Sequence, residues 1–252
     1  MSEWRPFAGL SRHVAPDGTA FLTAGEGRPL LLIHGVGMNA EAMAPQIDHF
    51  SRGWRVFAID MPGHGETPLL PGQPALGDYI RHAADFLWDT AGEPALVVGH
   101  SMGALVAVGL GLDAPELCWG IVALNAVYCR TPEASKAVWA RAAEIADPSS
   151  PADLEGPLRR WFGEDAGREA LQAQVRQWLE AVPRAGYAAA YGVFAASDRA
   201  HEGRMAQLRV PALFLTGEFD ANSTPEMSQR MAHEAPQRRA VVLDGCRHNM
   251  AL

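Results

Sequence analysis

The chain has 252 residues, 48% of them hydrophobic, which suffices for one sizeable core and predicts a single domain carrying an insertion rather than two full domains. A net charge of -8, a pI near 5.6 and no basic run exclude nucleic acid and anionic membrane as partners and point to a small molecule. Cys118, Cys129 and Cys246 stand far apart with no C-x-x-C spacing, so they give no metal site and suit free thiols in a reducing compartment. The opening MSEWRPFAGL lacks the basic start and apolar run of a secretory signal, and the expected location is the cytoplasm.

In chain order, Pro16-Asp17-Gly18-Thr19 between two mixed-apolar runs predicts an antiparallel hairpin at a sheet edge. Pro29 to Ile33 is apolar on both faces, as a central parallel strand must be. It empties into His34-Gly35-Val36-Gly37-Met38, the position at which open α/β sheets bind ligands. A short helix from Glu41 to Phe50 and a buried strand from Arg55 to Ile59 follow. That strand ends in the tight loop Asp60-Met61-Pro62-Gly63-His64-Gly65-Glu66-Thr67, where Asp60 and His64 are read as hydrogen-bonding braces. The amphipathic segment Leu76 to Thr90 returns the chain to the sheet, and the repeated strand, helix, strand order predicts parallel pairing with right-handed crossovers.

Residues 95–114, ALVVGHSMGALVAVGLGLDA, run from an apolar strand through Gly99-His100-Ser101-Met102-Gly103 into a helix of small residues. This is G-x-S-x-G in the strand–turn–helix setting that the motif requires. So tight a turn strains the serine backbone, leaves no room for side chains at 99 and 103, and exposes Ser101 Oγ. The tract is broken by His100, Ser101 and glycines, so it does not read as a membrane span.

Another buried strand, Gly120 to Leu124, precedes a change of character at Thr131. Thr131-Pro132-Glu133 is a cap followed by proline at the first helical position. Breaks at Pro148 to Pro151, Gly163 to Gly167 and Pro183 to Gly186 divide the stretch into about four helices. These carry Trp139, Trp161, Phe162, Trp178, Tyr187, Tyr191 and Phe194, either as packing onto the core or as an apolar lid over a substrate pocket. Strand character returns at Val210 to Leu215, a helix capped by Thr224-Pro225 runs to about Ala235, and a last strand from Ala240 to Leu243 leads to Asp244-Gly245-Cys246-Arg247-His248.

A serine hydroxyl needs a base, and the base needs an acid to hold its tautomer. Of nine histidines only His34, His64, His100 and His248 stand at or beyond strand exits, and His248 is the best-placed base. His34 and His100 read as structural hydrogen-bonders. Among the carboxylates, Asp220 follows a strand in a polar turn, Glu218 lies two residues nearer the strand, and Asp244 is too close in sequence to His248 to brace it easily.

The order Ser101, Asp220, His248 is that of the α/β-hydrolase fold, and over nearly its whole length the chain resembles that superfamily. The resemblance rests on His34-Gly35 after one strand, D-x-P-G-H-G after the next, G-H-S-M-G at the elbow, a helical insertion, G-x-x-D and a late histidine. Within the superfamily it is similar to the cap-bearing esterases and 3-oxoadipate enol-lactonases, the latter through Gly186-Tyr187-Ala188-Ala189, Asp198 and Val210-Pro211.

The resemblance implies an α/β fold with a mostly parallel eight-stranded sheet flanked by helices and a helical cap after the sixth strand. Residues 1–129 and 207–252 would form the core and 130–206 the cap. It also implies an oxyanion hole from the backbone N–H groups of Val36 and Met102, and no cofactor. The expected activity is hydrolysis of a small ester or lactone by a monomer or homodimer, in a pocket drawn from Met38, Tyr128, Trp139, Phe194 and Met250. Of Arg141, Arg159, Arg160, Arg168 and Arg184 in the insertion, most are expected on solvated faces, with a cationic anchor for the substrate as the alternative for one of them.

The chain departs from the family pattern in two places. Members of the fold normally continue past the histidine with a final helix, whereas here four residues follow His248. The meta-cleavage C–C hydrolases also resemble this chain, but their H-G-G-G-P-G stretch is absent and Asn249 stands where they usually carry tryptophan, so C–C cleavage is the alternative activity. A hydrolase-fold receptor with little turnover is a third reading.

Overall fold

The computed structural model describes residue 10, residues 12–163 and residues 168–251. All but Leu10 of the segment read above for a secretory signal, and most of the Gly163–Gly167 break, lie outside the described residues. Strands β1 (Arg12–Val14) and β2 (Ala20–Ala24) form the expected hairpin, with Val14 opposite Ala20, and β2 pairs antiparallel to β4 (Arg55–Ile59). From there the pairing is parallel through β3 (Pro29–Ile33), β5 (Ala95–His100), β6 (Cys118–Leu124), β7 (Ala212–Gly217) and β8 (Arg238–Leu243). The eight strands lie in the order β1-β2-β4-β3-β5-β6-β7-β8.

The period of two along a strand divides the core. Leu31, Ile33, Phe57, Ile59 and Val97 face one layer, while Leu30, Leu32, Val56, Ala58 and Val98 face the other. The first layer packs against α2 (Leu76–Phe86) and α3 (Met102–Asp113), the second against α1 (Ala44–Phe50) and the 3₁₀ turn before it. Helix α3 is apolar all round because the sheet lies on one side of it and other elements on the rest; ten of its twelve residues are buried.

Between β6 and β7 run α4 (Pro132–Ala146), α5 (Glu155–Phe162), α6 (Glu169–Ala181) and α7 (Arg184–Ala196). Thr131 Oγ1 accepts the Ala134 N–H at 3.2 Å, the cap that its sequence announces. Helices α5 and α6 close a separate apolar cluster, Leu158, Phe162, Leu171, Val175, Trp178 and Leu179, over Met38 and Ala42. Helix α8 (Pro225–Glu234) packs on β7 and β8.

Three strand limits differ from the sequence reading. Strand β8 begins at Arg238 because it is an edge strand whose first two residues are exposed and carry no apolar signal. Strand β6 begins at Cys118. Strand β7 starts after Pro211, which has no N–H for a ladder, and runs on through Thr216 and Gly217 to pair with Val242 and Leu243. Among the described residues no helix is long and apolar enough to cross a membrane.

Candidate active site

Ser101 stands between β5 and α3 with φ 56° and ψ -114°, a strained conformation for a residue bearing a Cβ. Its N–H donates to Leu124 O at 2.8 Å, which pins the turn to β6. The flanking glycines are required sterically: a Cβ on Gly99 would lie 1.9 Å from Gly103 O, and one on Gly103 would lie 2.3 Å from Ile33 O. As first residue of α3, Met102 has no intrahelical acceptor for its N–H, and the positive end of the helix dipole lies beside Ser101.

The loop after β3 lies against this turn. It is closed by Met38 N–H donating to Gly35 O at 3.2 Å, with Gly37 at φ 82° as the third residue, so Val36 occupies the corner. Two buried histidines hold the loop. His64 Nε2 accepts the Gly37 N–H at 3.0 Å, and His34 Nε2 accepts the Met61 N–H at 2.9 Å. Each Nδ1 therefore carries the proton, facing Pro62 O and Gly35 O respectively. Protonating either ring would set two donors head to head in a dry site. Burial pushes His34 down to about 4 and His64 to about 3. Asp60 accepts the Ala40 and Glu66 N–H groups and pairs with Arg12, so it also braces loops.

Asp220, in the turn after β7, is buried. Its Oδ1 accepts the Asn222 and Ser223 N–H groups at 2.8 and 3.1 Å, and its Oδ2 accepts His248 Nδ1–H at 2.8 Å and Asn125 Nδ2–H at 2.6 Å. Burial alone would push this carboxyl up. The His248 ring and these donors outweigh it and hold Asp220 below the ordinary carboxylate value. Glu218 and Asp244 are exposed, and Glu218 instead accepts the Gly245 N–H. His100 Nε2 faces the His248 carbonyl at 3.0 Å and must donate to it; burial pushes this ring down to about 4. Trp161 stacks over the His248 ring with centroids 6.1 Å apart.

Ser101, His248 and Val36 open on one cavity of about 420 Å³, walled by Ala134, Ala137, Val138 and Arg141 of α4, Arg160 and Trp161 of α5, Tyr187, Tyr191 and Phe194 of α7, and Arg130. Of the apolar residues expected in the pocket, Phe194 lines it and four do not. Met38 is packed beneath α5 and α6, and Tyr128 is buried with its hydroxyl on Glu234 at 2.5 Å. Trp139 is 51% exposed, since one step of about 100° from the lining Val138 carries it to solvent. Met250 is half-buried in the C-terminal segment and does not line the cavity. Of the arginines expected on solvated faces, Arg141 departs from that reading, being turned into the wall, while Arg160 borders the cavity but stays exposed.

Two residues carry no clear signal in the sequence, Asn125 and Arg130. Both follow the carboxyl end of β6, where ligands of open sheets gather, and Asn125 takes φ 53°, a conformation that asparagine tolerates.

Comparison with known proteins agrees with this architecture. An (E)-2-((N-methylformamido)methylene)succinate hydrolase of Acinetobacter baylyi is 40% identical over 232 residues, 92% of this chain and 88% of that one. The enol-lactonase of Burkholderia xenovorans superposes with a TM-score of 0.84 at 23% identity, covering 95% of this chain and 93% of the other. A thermophilic esterase of Thermogutta terrifontis, solved with malate bound, gives 0.82 at 25% identity over 96% and 92%. The model of the serine aminopeptidase S33 family, Hydrolase_4, matches residues 28–252. The chain belongs to that family of α/β-hydrolases.

Proposed function

We propose that the protein is a cofactor-free serine hydrolase that cleaves a small carboxylic ester or lactone through an acyl-enzyme. The observation that carries this reading is that Ser101, in a strained turn, and His248, whose Nδ1 lies 2.8 Å from Asp220, open on one cavity. Ser101 Oγ attacks the carbonyl carbon while His248 Nε2 takes its proton, and Asp220 holds the tautomer and stabilises the imidazolium. The oxyanion receives the N–H groups of Met102 and Val36. His248 then returns the proton to the departing oxygen. A water molecule, deprotonated by the same ring, releases the acid and restores Ser101.

A second reading, cleavage of an N-acyl bond, is favoured by the Acinetobacter relative. Its named substrate is a methylenesuccinate carrying an N-methylformamido group. The same nucleophile and donors serve, with His248 protonating nitrogen instead of oxygen. The enol-lactonase and esterase likenesses support the oxygen leaving group. Comparison of kcat/KM on an aryl ester, an enol-lactone, an N-formyl enamine and a ring-cleavage dienoate decides among these. Fluorophosphonate labelling of Ser101 is expected with any of the four. Turnover of the dienoate more than about tenfold above the others, roughly 1.4 kcal/mol of transition-state stabilisation, would displace acyl transfer in favour of C–C cleavage.

A further inference from the structure

Resting on the reading of Ser101 as nucleophile, we propose that Arg130 is a carboxylate anchor in the same cavity, so that the substrate is an anionic acyl compound held through this guanidinium. Arg130 ends the loop that leaves β6, a loop in which two non-glycine residues, Asn125 and Cys129, adopt φ of 53° and 51°. Such strain gathers where the fold holds a side chain in place for function. The loop is tied to the end of α7: Cys129 N–H donates to Asp198 O at 2.7 Å and Arg130 N–H to Asp198 Oδ2 at 2.9 Å. The guanidinium lies 4.4 Å from the centre of the Phe194 ring. Asp198 is thus the positioning residue.

The donor set of Arg130 is incomplete. The side chain is buried, yet its Nη1 stands 3.8 Å from Asp198 Oδ1, beyond hydrogen-bond length, and reaches Phe194 O only at 3.4 Å. Nη2 has no acceptor among the described residues. An unpaired donor on a buried charged group costs on the order of 1–3 kcal/mol or more, so an acceptor that reaches Nη2 is favoured. A carboxylate in the cavity that Arg130 lines, matched to the planar fork, supplies the missing acceptor once the buried Nη2 turns toward it.

The other two arginines of the wall are placed differently, although Arg141 Nε also lacks an acceptor among the described residues. Arg141 Nη1 is engaged by Asp153 at 2.7 Å and Glu144 at 3.5 Å, and Arg160 is exposed. Glu144, also in the wall, repels an anion and leaves Arg130 as the buried attractive group.

The test compares wild type, Arg130→Gln and Arg130→Lys on the 4-nitrophenyl monoester of succinate and on its methyl diester, which differ only in the free carboxylate. Succinate binding by calorimetry is measured on the same proteins. Wild type is expected to prefer the monoester. Arg130→Gln should cut the monoester-to-diester ratio of kcat/KM by about tenfold or more and weaken succinate to match, with Arg130→Lys intermediate because it keeps the charge but loses the fork. If Arg130→Gln does not fold, the Lys variant decides by the same ratio. Equal losses on both esters would reduce Arg130 to a structural tie and overturn the proposal, as would a wild type that neither prefers the monoester nor binds succinate. Succinate binding that depends on Arg130 in a protein hydrolysing neither ester would uphold the anchor and sink the hydrolase reading instead.

Discussion

Acidification should destabilise this protein before its carboxylates titrate, because three histidines are locked neutral around the elbow. Burial pushes His34 and His100 down to about 4 and His64 to about 3, against an ordinary value near 6.5. As pH falls below about 6.5 the unfolded chain binds a proton at each ring while the folded chain does not, so the stability present above that value is lost progressively towards pH 4. At about pH 5.5 each ring contributes a loss of ~1.4 kcal/mol, and the three together ~4 kcal/mol, a large part of the roughly 5–15 kcal/mol typical of a domain. Urea unfolding followed by fluorescence at half-unit steps from pH 8 to 4.5 reads this slope, which approaches three protons near pH 5. Replacing His64 by Gln, which can still accept the Gly37 N–H, should reduce it by about a third. A midpoint that stays level between pH 7 and 5 would refute the inference that these rings are held neutral by burial.

Ser101→Ala is expected to lower kcat by several orders of magnitude and abolish fluorophosphonate labelling with the circular dichroism unchanged, since the proposed triad acts as a unit. Asp220→Asn should cost roughly 10³-fold or more in kcat, against a few-fold for Glu218→Gln or Asp244→Asn, because the amide permits the wrong His248 tautomer; steady-state kinetics on one aryl ester would expose the reverse ranking. Gly103→Ala puts a Cβ 2.3 Å from Ile33 O and should fail to fold or lose several degrees of melting temperature. Gly77→Ala, in open space within α2, should instead gain up to about 1 kcal/mol.

Much of the fold is written in local pattern. The doubly apolar strands, the proline and threonine caps and the G-x-S-x-G turn each express chemistry within a few residues of one another, which is why the strand Pro29–Ile33 and the hairpin at Gly18 are legible in the chain itself. Strand limits are legible where burial makes them apolar and illegible at Arg238, an exposed edge. The pairing of His248 with Asp220 over Glu218 follows from position in the turn, but only the tertiary structure supplies the Asn222, Ser223 and Asn125 donors that hold that carboxylate ionised.

The pocket wall is legible in the sequence only in part: the aromatic stripe supplies Trp161, Tyr187, Tyr191 and Phe194, but not the face that each helix turns inward. Which face of α4 looks inward depends on its packing along α7, so Val138 and Arg141 line the cavity while Trp139, the more apolar-looking choice, faces water. The sequence by itself determined the elbow, the sheet and the order in which Ser101, Asp220 and His248 follow one another, because backbone sterics and burial act locally. The charge of the cavity was decided only by the tertiary structure, because it depends on which arginine donors find acceptors and which, like Nη2 of Arg130, do not.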